Sequence, residues 1–271
     1  MNSNNLKKVF LACKTYVLKR RILAVVLIVF LLIAGAYGYG YRVGPGVQLN
    51  RVGSLTLTNL PKGTLVYADQ VLNTTTTKDG DVRIELVKGS HDIIIAAPND
   101  YPWNNRLSLA SGVNTVANPI LVATKPNALA LTGDDKTAAF AAVAATTQPI
   151  RIHPLKLAGG CAVVYVENNR ILADATTSPG CTPPPYLCTG AGCASTIIFA
   201  PVAPLGAVFP FPGRQDALVF QLGHVLYAIS LDPRNPQFFA PILTGVNPLT
   251  GSLPDGTIVV RNDAVAYKLK L

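Results

Sequence analysis

The chain has 271 residues and a formal net charge of +9, yet six of its 23 lysines and arginines fall in the first 21 positions, where no acidic residue stands. The remainder carries 17 basic and 14 acidic groups, with no basic run and no interleaving of aromatic with basic residues. That excludes the electrostatic footprint of a nucleic-acid binder, and no nucleic-acid partner is expected.

Positions 1–21 form a basic leader containing Lys7, Lys8, Lys14, Lys19, Arg20 and Arg21. Residues 22–41, ILAVVLIVFLLIAGAYGYGY, carry no charge. A helix of about twenty residues, rising about 1.5 Å per residue, spans roughly the 30 Å hydrocarbon core of a bilayer, so this stretch predicts a transmembrane helix. The basic leader precedes it and only Arg42 and Arg51 follow closely, which predicts a cytoplasmic N-terminus and an extracytoplasmic remainder. Tyr37, Tyr39 and Tyr41 then fall at headgroup level. The rival reading is a cleaved signal peptide, with Ile22 to Ile33 as its apolar region and Ala34-Gly35-Ala36 as a small-x-small cleavage site. Either way the bulk of the chain is exported. Within the leader, Leu6, Val9, Phe10, Cys13 and Val17 recur at helical spacing, giving either a juxtamembrane helix on an anionic leaflet or a segment whose lysines only set topology.

Arg42 to Val52, with Gly44-Pro45-Gly46, reads as a short stalk. Residues 53–123 predict a small antiparallel β-sandwich. GSLTLT (from Gly53), TLVYA (from Thr64), VRIELV (from Val82) and HDIIIAA (from His91) are β-rich runs, the turns are Pro61-Lys62-Gly63 and Lys88-Gly89, and further strands are expected at Arg106 to Leu109 and Val113 to Val122. Tyr67 and Trp103 are expected in its core.

These residues resemble a PEGA domain, a β-sandwich module of bacterial surface proteins. Pro61-Lys62-Gly63-Thr64 stands where that family has its Pro-Glu-Gly-Ala turn, and Val66-Tyr67-Ala68-Asp69 at its Val-Tyr-hydrophobic-Asp strand. Lys88-Gly89-Ser90-His91 and Tyr101-Pro102-Trp103 match its second turn and closing aromatic. The turn lacks the family's Glu and Ala, and Gln70 replaces the Gly that usually follows the Asp.

Residues 124–149 are Ala- and Thr-rich and read as a linker or short helix, with Asp134 capping Asp135 to Ala145 and only Phe140 and Val143 to bury. Residues 150–271 contain a near-repeat of strand, polar turn and strand at Ala162 to Ala173, Ala217 to Ile229 and Thr257 to Leu269. The spacing is close to that of β-propeller blades, roughly forty residues or a little more, but a closed propeller needs at least about four. The fold class expected is therefore mainly β: a transmembrane helix, a PEGA-type sandwich and a blade-like antiparallel domain. From Thr182 onward the chain also resembles the C-terminal region of membrane-anchored PEGA surface proteins, which have the same domain order.

No sequence motif points to catalysis. His91, His153 and His224 stand apart from other ligand-type residues, and HExxH, Gly-x-Ser-x-Gly and phosphate-loop patterns are missing. The two glutamates, Glu85 and Glu167, lie in or beside strands, and Asp79-Gly80-Asp81 and Asp134-Asp135 are the only close acidic pairs. Neither a metal nor a cofactor is expected. Cys13 lies on the reducing side, whereas Cys161, Cys181, Cys188 and Cys193 form an even set where disulfides persist. Spacing favours Cys188 with Cys193, across four residues that include two glycines, and Cys161 with Cys181; zinc is the rival, without a Cys-x-x-Cys pair to support it. The function expected is a non-catalytic cell-surface protein, an envelope attachment or binding module whose partner is cell-wall polymer or a surface protein. The alternatives are an extracytoplasmic sensor or assembly subunit, and a cell-wall hydrolase.

Overall fold

The computed structural model describes residues 23–39, 41–43, 49–146, 154–176, 178–189, 192–245, 249–253, 255–262 and 264–270. The basic leader, with Cys13, lies outside the described residues. Among the described residues the fold is mainly β, built as several antiparallel sheets with two α-helices. The first helix, α1, covers residues 23–38. Among the described residues no helix is long and apolar enough to cross a membrane.

The expected stalk is instead a hairpin. Strand β1 (Tyr41–Val43) pairs antiparallel with β2 (Leu49–Leu60), from Tyr41 opposite Arg51 to Val43 opposite Leu49. Then follow β3 (Leu65–Ala68), β4 (Val71–Thr75), β5 (Gly80–Val87), β6 (Gly89–Ala96), β7 (Trp103–Leu109) and β8 (Asn114–Ala117). They form two four-stranded sheets, one in the order β1-β2-β5 with β8 also on β2, the other in the order β4-β3-β6-β7. The chain divides into two compact units made of interleaved segments: residues up to Thr56 with Arg83–Ser90 and Ser108–Ala117, and Leu57–Val82 with His91–Leu107 and Asn118 onward.

Period-two alternation explains the strands. In β2, Leu55 and Leu57 are fully buried while Thr56 and Thr58 are half-exposed. Gly53 is required there, because a Cβ would stand 2.5 Å from the carbonyl oxygen of Ala110. Trp103 is 4% exposed, a core residue. Tyr67 departs from expectation: β3 buries Val66 and Ala68, which leaves Tyr67 half-buried on the opposite face.

The rest of the chain makes three four-stranded antiparallel sheets. The first is β10 (Leu155–Leu157), β11 (Ala162–Glu167), β12 (Arg170–Ala175) and β15 (Thr196–Phe199); between its last two strands lies a loop with a two-stranded pair, β13 (Cys188–Thr189) and β14 (Gly192–Cys193). The second is β16 (Leu205–Pro210), β17 (Ala217–Leu222), β18 (Val225–Ser230) and β19 (Phe239–Thr244). The third is β20 (Leu249–Ser252), β21 (Ile258–Asn262), β22 (Val265–Lys270) and, as its fourth strand, β9 (Asn127–Leu131). One core joins the first two sheets, with Val164, Ile171 and Ile198 against Val208, Leu218 and Phe220. Leu218 and Phe220 face the first sheet, and Ala217 and Val219, which alternate with them along β17, are equally inaccessible, so the second sheet is covered on both sides.

The segment expected to link the two regions is thus part of the third sheet. Strand β9 pairs with β22, from Leu131 opposite Ala266 to Asn127 opposite Lys270. The second helix, α2 (Gly133–Thr146), lies on the same sheet. It starts before Asp134, so that Asp134 and Asp135 occupy the first turn, where acidic residues suit the helix dipole. The helix buries Ala139 with Val143, against Val259 and Ala266, and leaves Phe140 half-buried beneath the Arg261 guanidinium, 4.7 Å from its ring centroid.

Gly251 is what admits α2 so closely: a Cβ there would lie 2.8 Å from the backbone of Ala142 and Val143. Gly251→Val therefore forces the helix away and is expected to cost about 1–3 kcal/mol, as overpacking does; an unchanged denaturation midpoint would contradict the contact. Trp103→Ala is expected to cost about 3 kcal/mol or more, and a loss below about 1 kcal/mol in urea unfolding would contradict its burial.

Candidate functional site

The residues singled out in the sequence mostly serve local structure. His91, the third residue of β6, has its Nδ1 2.7 Å from Asp69 Oδ2, while Asp69 Oδ1 accepts the backbone N–H of Asp92 at 3.0 Å. Asp69 sits in the β3–β4 turn with Gln70, both in the left-handed region (φ 50° and 67°) that a two-residue hairpin turn requires. The two signature segments of the sequence thus meet through one carboxylate. The His91 contact, and then the Asp92 N–H, hold the Asp69 carboxyl below its usual range. Beside it, Arg106 donates two bonds to Asp92, at 2.6 and 3.0 Å.

Asp79 accepts the Lys62 N–H at 2.6 Å and Asp81 accepts the Asn59 N–H at 3.2 Å, so each carboxylate secures backbone on the other side of the hairpin. Glu85 pairs with Arg42, whose Nε and Nη2 reach its two oxygens at 3.1 and 3.3 Å. His224 follows Gly223 in the β17–β18 turn, and its carbonyl accepts from Gly245. His153 lies outside the described residues. Among the described residues no group of three His, Cys, Asp or Glu side chains is placed to hold a metal ion. Cys161 is bonded to Cys181 and Cys188 to Cys193, the same pairs that spacing favoured.

Three features were not visible in the sequence. Arg214, 11% exposed at its side chain, donates to the carbonyls of Asn118 (2.6 Å) and Pro119 (3.0 Å) and to the Asp216 carboxylate. The Tyr186 hydroxyl is held well above its usual range by burial and then by the carboxylates of Asp232 and Asp216. At one end of the third sheet, a cleft of about 320 Å³ has Phe211, Leu129 and Leu269 among its walls and Asp255, Thr257 and Lys268 at its polar side. That volume is at the small end of ligand sites, roughly 300–1,000 Å³. Asp255 is held in place by the N–H and hydroxyl of Thr257, both at 2.9 Å, and these bonds keep its carboxyl ionised below the usual range. A smaller groove of about 170 Å³ separates Leu243 and Thr244 of β19 from Val260 and Tyr267. These clefts offer mostly apolar contact with few fixed charges.

A final feature is α1. Its ten large apolar side chains from Leu23 to Ile33 are all exposed, the least being Val29 at 48% and the most Leu23 at 72%. The helix end is tied into the first unit: the Arg42 guanidinium lies 3.6 Å from the Tyr37 ring centroid and donates to the Tyr37 carbonyl at 3.0 Å, and Ser111 donates to the Tyr39 carbonyl at 3.1 Å.

The depressed pKa of Asp69 sets a pH dependence. Its ionised form is favoured by folding, so the stability it contributes is full above the ordinary carboxylate range and is lost as pH falls through its lowered folded value. The group is largely solvated, so the contribution is modest. Asp69→Asn is expected to lower the melting temperature near neutral pH and to flatten the loss of stability on acidification; an unchanged pH profile would show that the His91 contact carries no free energy.

No protein-family model matches the chain, and no curated protein matches it by sequence.

Proposed function

We propose that the chain is a non-catalytic, membrane-anchored surface protein whose exported β-modules attach to or recognise a component of the cell envelope, either cell-wall polymer or a surface protein. The observation that carries this reading is α1. Ten large apolar side chains exposed around a helix cost of order 20 kcal/mol in water at about 1.5–3 kcal/mol each, and lipid removes that cost. A helix apolar on all sides is a helix surrounded by apolar matter. The described helix is by itself too short to cross a bilayer, but the uncharged stretch 22–41 in which it lies has the length of one, and the basic leader supports a cytoplasmic N-terminus.

In this reading residues 53–123 are a PEGA-type β-sandwich. The Asp69 and His91 contact supports that, since it links the two segments on which the resemblance rests. Residues 150–271 are read as the blade-like domain: three successive four-stranded antiparallel sheets, the last completed by β9 from outside that span, support blade-like units but are fewer than the four or so blades of a closed propeller. Two disulfides in the described residues agree with an oxidising compartment. Recognition is assigned to the clefts bordering the third sheet, where apolar walls adjoin Lys268 and Asp255.

The test is made on the full chain in detergent, incubated with isolated envelope fractions. Retention on polymer or on a protein component is expected, and Leu129→Glu, at a site 54% exposed, is expected to weaken it several-fold without changing the melting temperature. A reporter fused after Leu271 is expected to be active only outside the membrane, with residues 1–21 kept in the mature protein. An intact mass beginning near Tyr37 would overturn the anchor, and retention on neither fraction would overturn the binding role.

A further inference from the structure

The end of the first unit next to α1 carries three exposed valines. Val113, which follows the loop holding the α1 end, is 52% exposed; Val87, at the end of β5, is 47% exposed; and Val43, in the hairpin that directly follows the helix, is 70% exposed. Hydrogen bonds place Val87 and Val113, and the β1–β2 register places Val43, at the same end of the sheet β1-β2-β5 as the helix terminus. Ser111 Oγ and Gly112 approach the Tyr39 carbonyl, the Gly112 N–H donates to Val52 at 2.9 Å, the Val113 carbonyl accepts from Ser54 at 3.1 Å, and the Lys88 N–H donates to Arg51 at 2.7 Å. Two exposed cations, Arg51 and Lys88, stand among these valines. Arg51 holds its guanidinium 5.0 Å from the Tyr41 ring centroid and donates to the Tyr41 hydroxyl at 2.7 Å. The nearby Arg42 is neutralised by Glu85, so the net charge of this collar comes from Arg51 and Lys88.

We infer that this end of the first unit lies in the headgroup layer of the bilayer, with Val43, Val87 and Val113 at the acyl boundary and Arg51 and Lys88 facing lipid phosphates. The inference rests on the membrane-anchor reading above. Single exposed valines are ordinary, but here they sit on separate loops beside one helix terminus whose tyrosines are also exposed, Tyr37 at 61% and Tyr39 at 78%. Apolar groups rimmed by cations and tyrosines are what the interface of an anionic bilayer accommodates, where a buried depth of about 5–10 Å is typical. Arg42 bonds both the Tyr37 carbonyl and the Glu85 carboxylate, which ties the helix end to β5 and so favours holding the module at the surface.

The test uses the full chain with Cys13→Ser, carrying one environment-sensitive fluorophore at a time through Ile28→Cys, Val87→Cys or Val113→Cys. The protein is reconstituted in vesicles of equal phosphatidylglycerol and phosphatidylcholine. The expected result is that a lipid-borne nitroxide quenches all three labels several-fold more than aqueous iodide does. Contact at positions 87 and 113 is also expected to weaken in Arg51→Gln/Lys88→Gln and in vesicles of phosphatidylcholine alone. If the label at 28 is in lipid while those at 87 and 113 report water, the inference fails and the anchor stands. If the label at 28 reports water, the anchor reading fails and the inference with it. Lipid contact at 87 and 113 that is indifferent to both charge changes would overturn the role given to Arg51 and Lys88.

Discussion

The pairing of β9 with β22 is the constraint on which the C-terminal half depends. A five-residue strand from the middle of the chain completes a sheet whose other strands come from the last two dozen residues. Closing so long a loop costs only slightly more entropy than closing a short one, because the cost grows with the logarithm of length. The return is large. Pairing hides the edge that β22 would otherwise present to other chains, and it delivers α2 onto the face formed by Val259, Ala266 and Gly251. With that face covered, the third sheet is buried where it matters, and the second sheet has apolar neighbours on both sides.

A second junction gathers three other parts of the chain at one turn. The residues between β16 and β17 supply Arg214 to the carbonyls of Asn118 and Pro119, the Gln215 carbonyl to the N–H of Ala158, and the Asp216 carbonyl to the N–H of Leu231. The segment leaving β8, the start of the first sheet and the end of β18 are thereby fixed by consecutive residues. A largely buried guanidinium is costly unless it is paired and its donors are used. Asp216 meets the first condition through two bonds and the carbonyls meet the second. Lysine would fill neither role, since it lacks the planar fork that reaches a carboxylate and two carbonyls at once.

Strand alternation made much of the β-structure legible, as in GSLTLT, because burial of one face imposes a period of two, whereas ALVFQL reads as a continuous apolar run because its strand is covered on both faces. The cysteine pairs were legible from spacing and loop composition. What stayed hidden depends on long-range partners. Asn127–Leu131, NALAL, has no β-branched residue and reads as linker; only β22 makes it a strand. Val143 and, in part, Phe140 hold α2 as the sequence suggested, but the closeness of the contact was hidden, because it is made by Ala139 and the bare backbone over Gly251. Asp69 meets His91 across 22 positions and Arg214 meets Asn118 across 96, and neither distance leaves a periodic trace in the sequence. The clefts beside the third sheet are hidden for the same reason, since their walls come from four separate stretches.

The disulfides do in the first sheet what backbone pairing does elsewhere. Between β12 and β15 the chain leaves the sheet for about twenty residues that contribute only the two-residue strands β13 and β14. The described residues of this loop are held mainly by short-range bonds such as Cys181 to Ser178 and Leu187 to Pro184, yet it returns Leu187, 3% exposed, to the core shared by the first and second sheets. Cys161–Cys181 pins the loop to the residue preceding β11, and the Thr176 N–H reinforces this by donating to the Cys161 carbonyl at 2.9 Å. Cys188–Cys193 closes the β13–β14 turn immediately after Leu187, and Ala194 donates to the Leu187 carbonyl at 3.2 Å. In chain-entropy terms the larger closure removes roughly 3 kcal/mol of unfolded-state freedom and the smaller one less. Leu187 is thus placed by two covalent links on either side of it, which lets a proline-rich loop supply a core residue that no strand could deliver at that position.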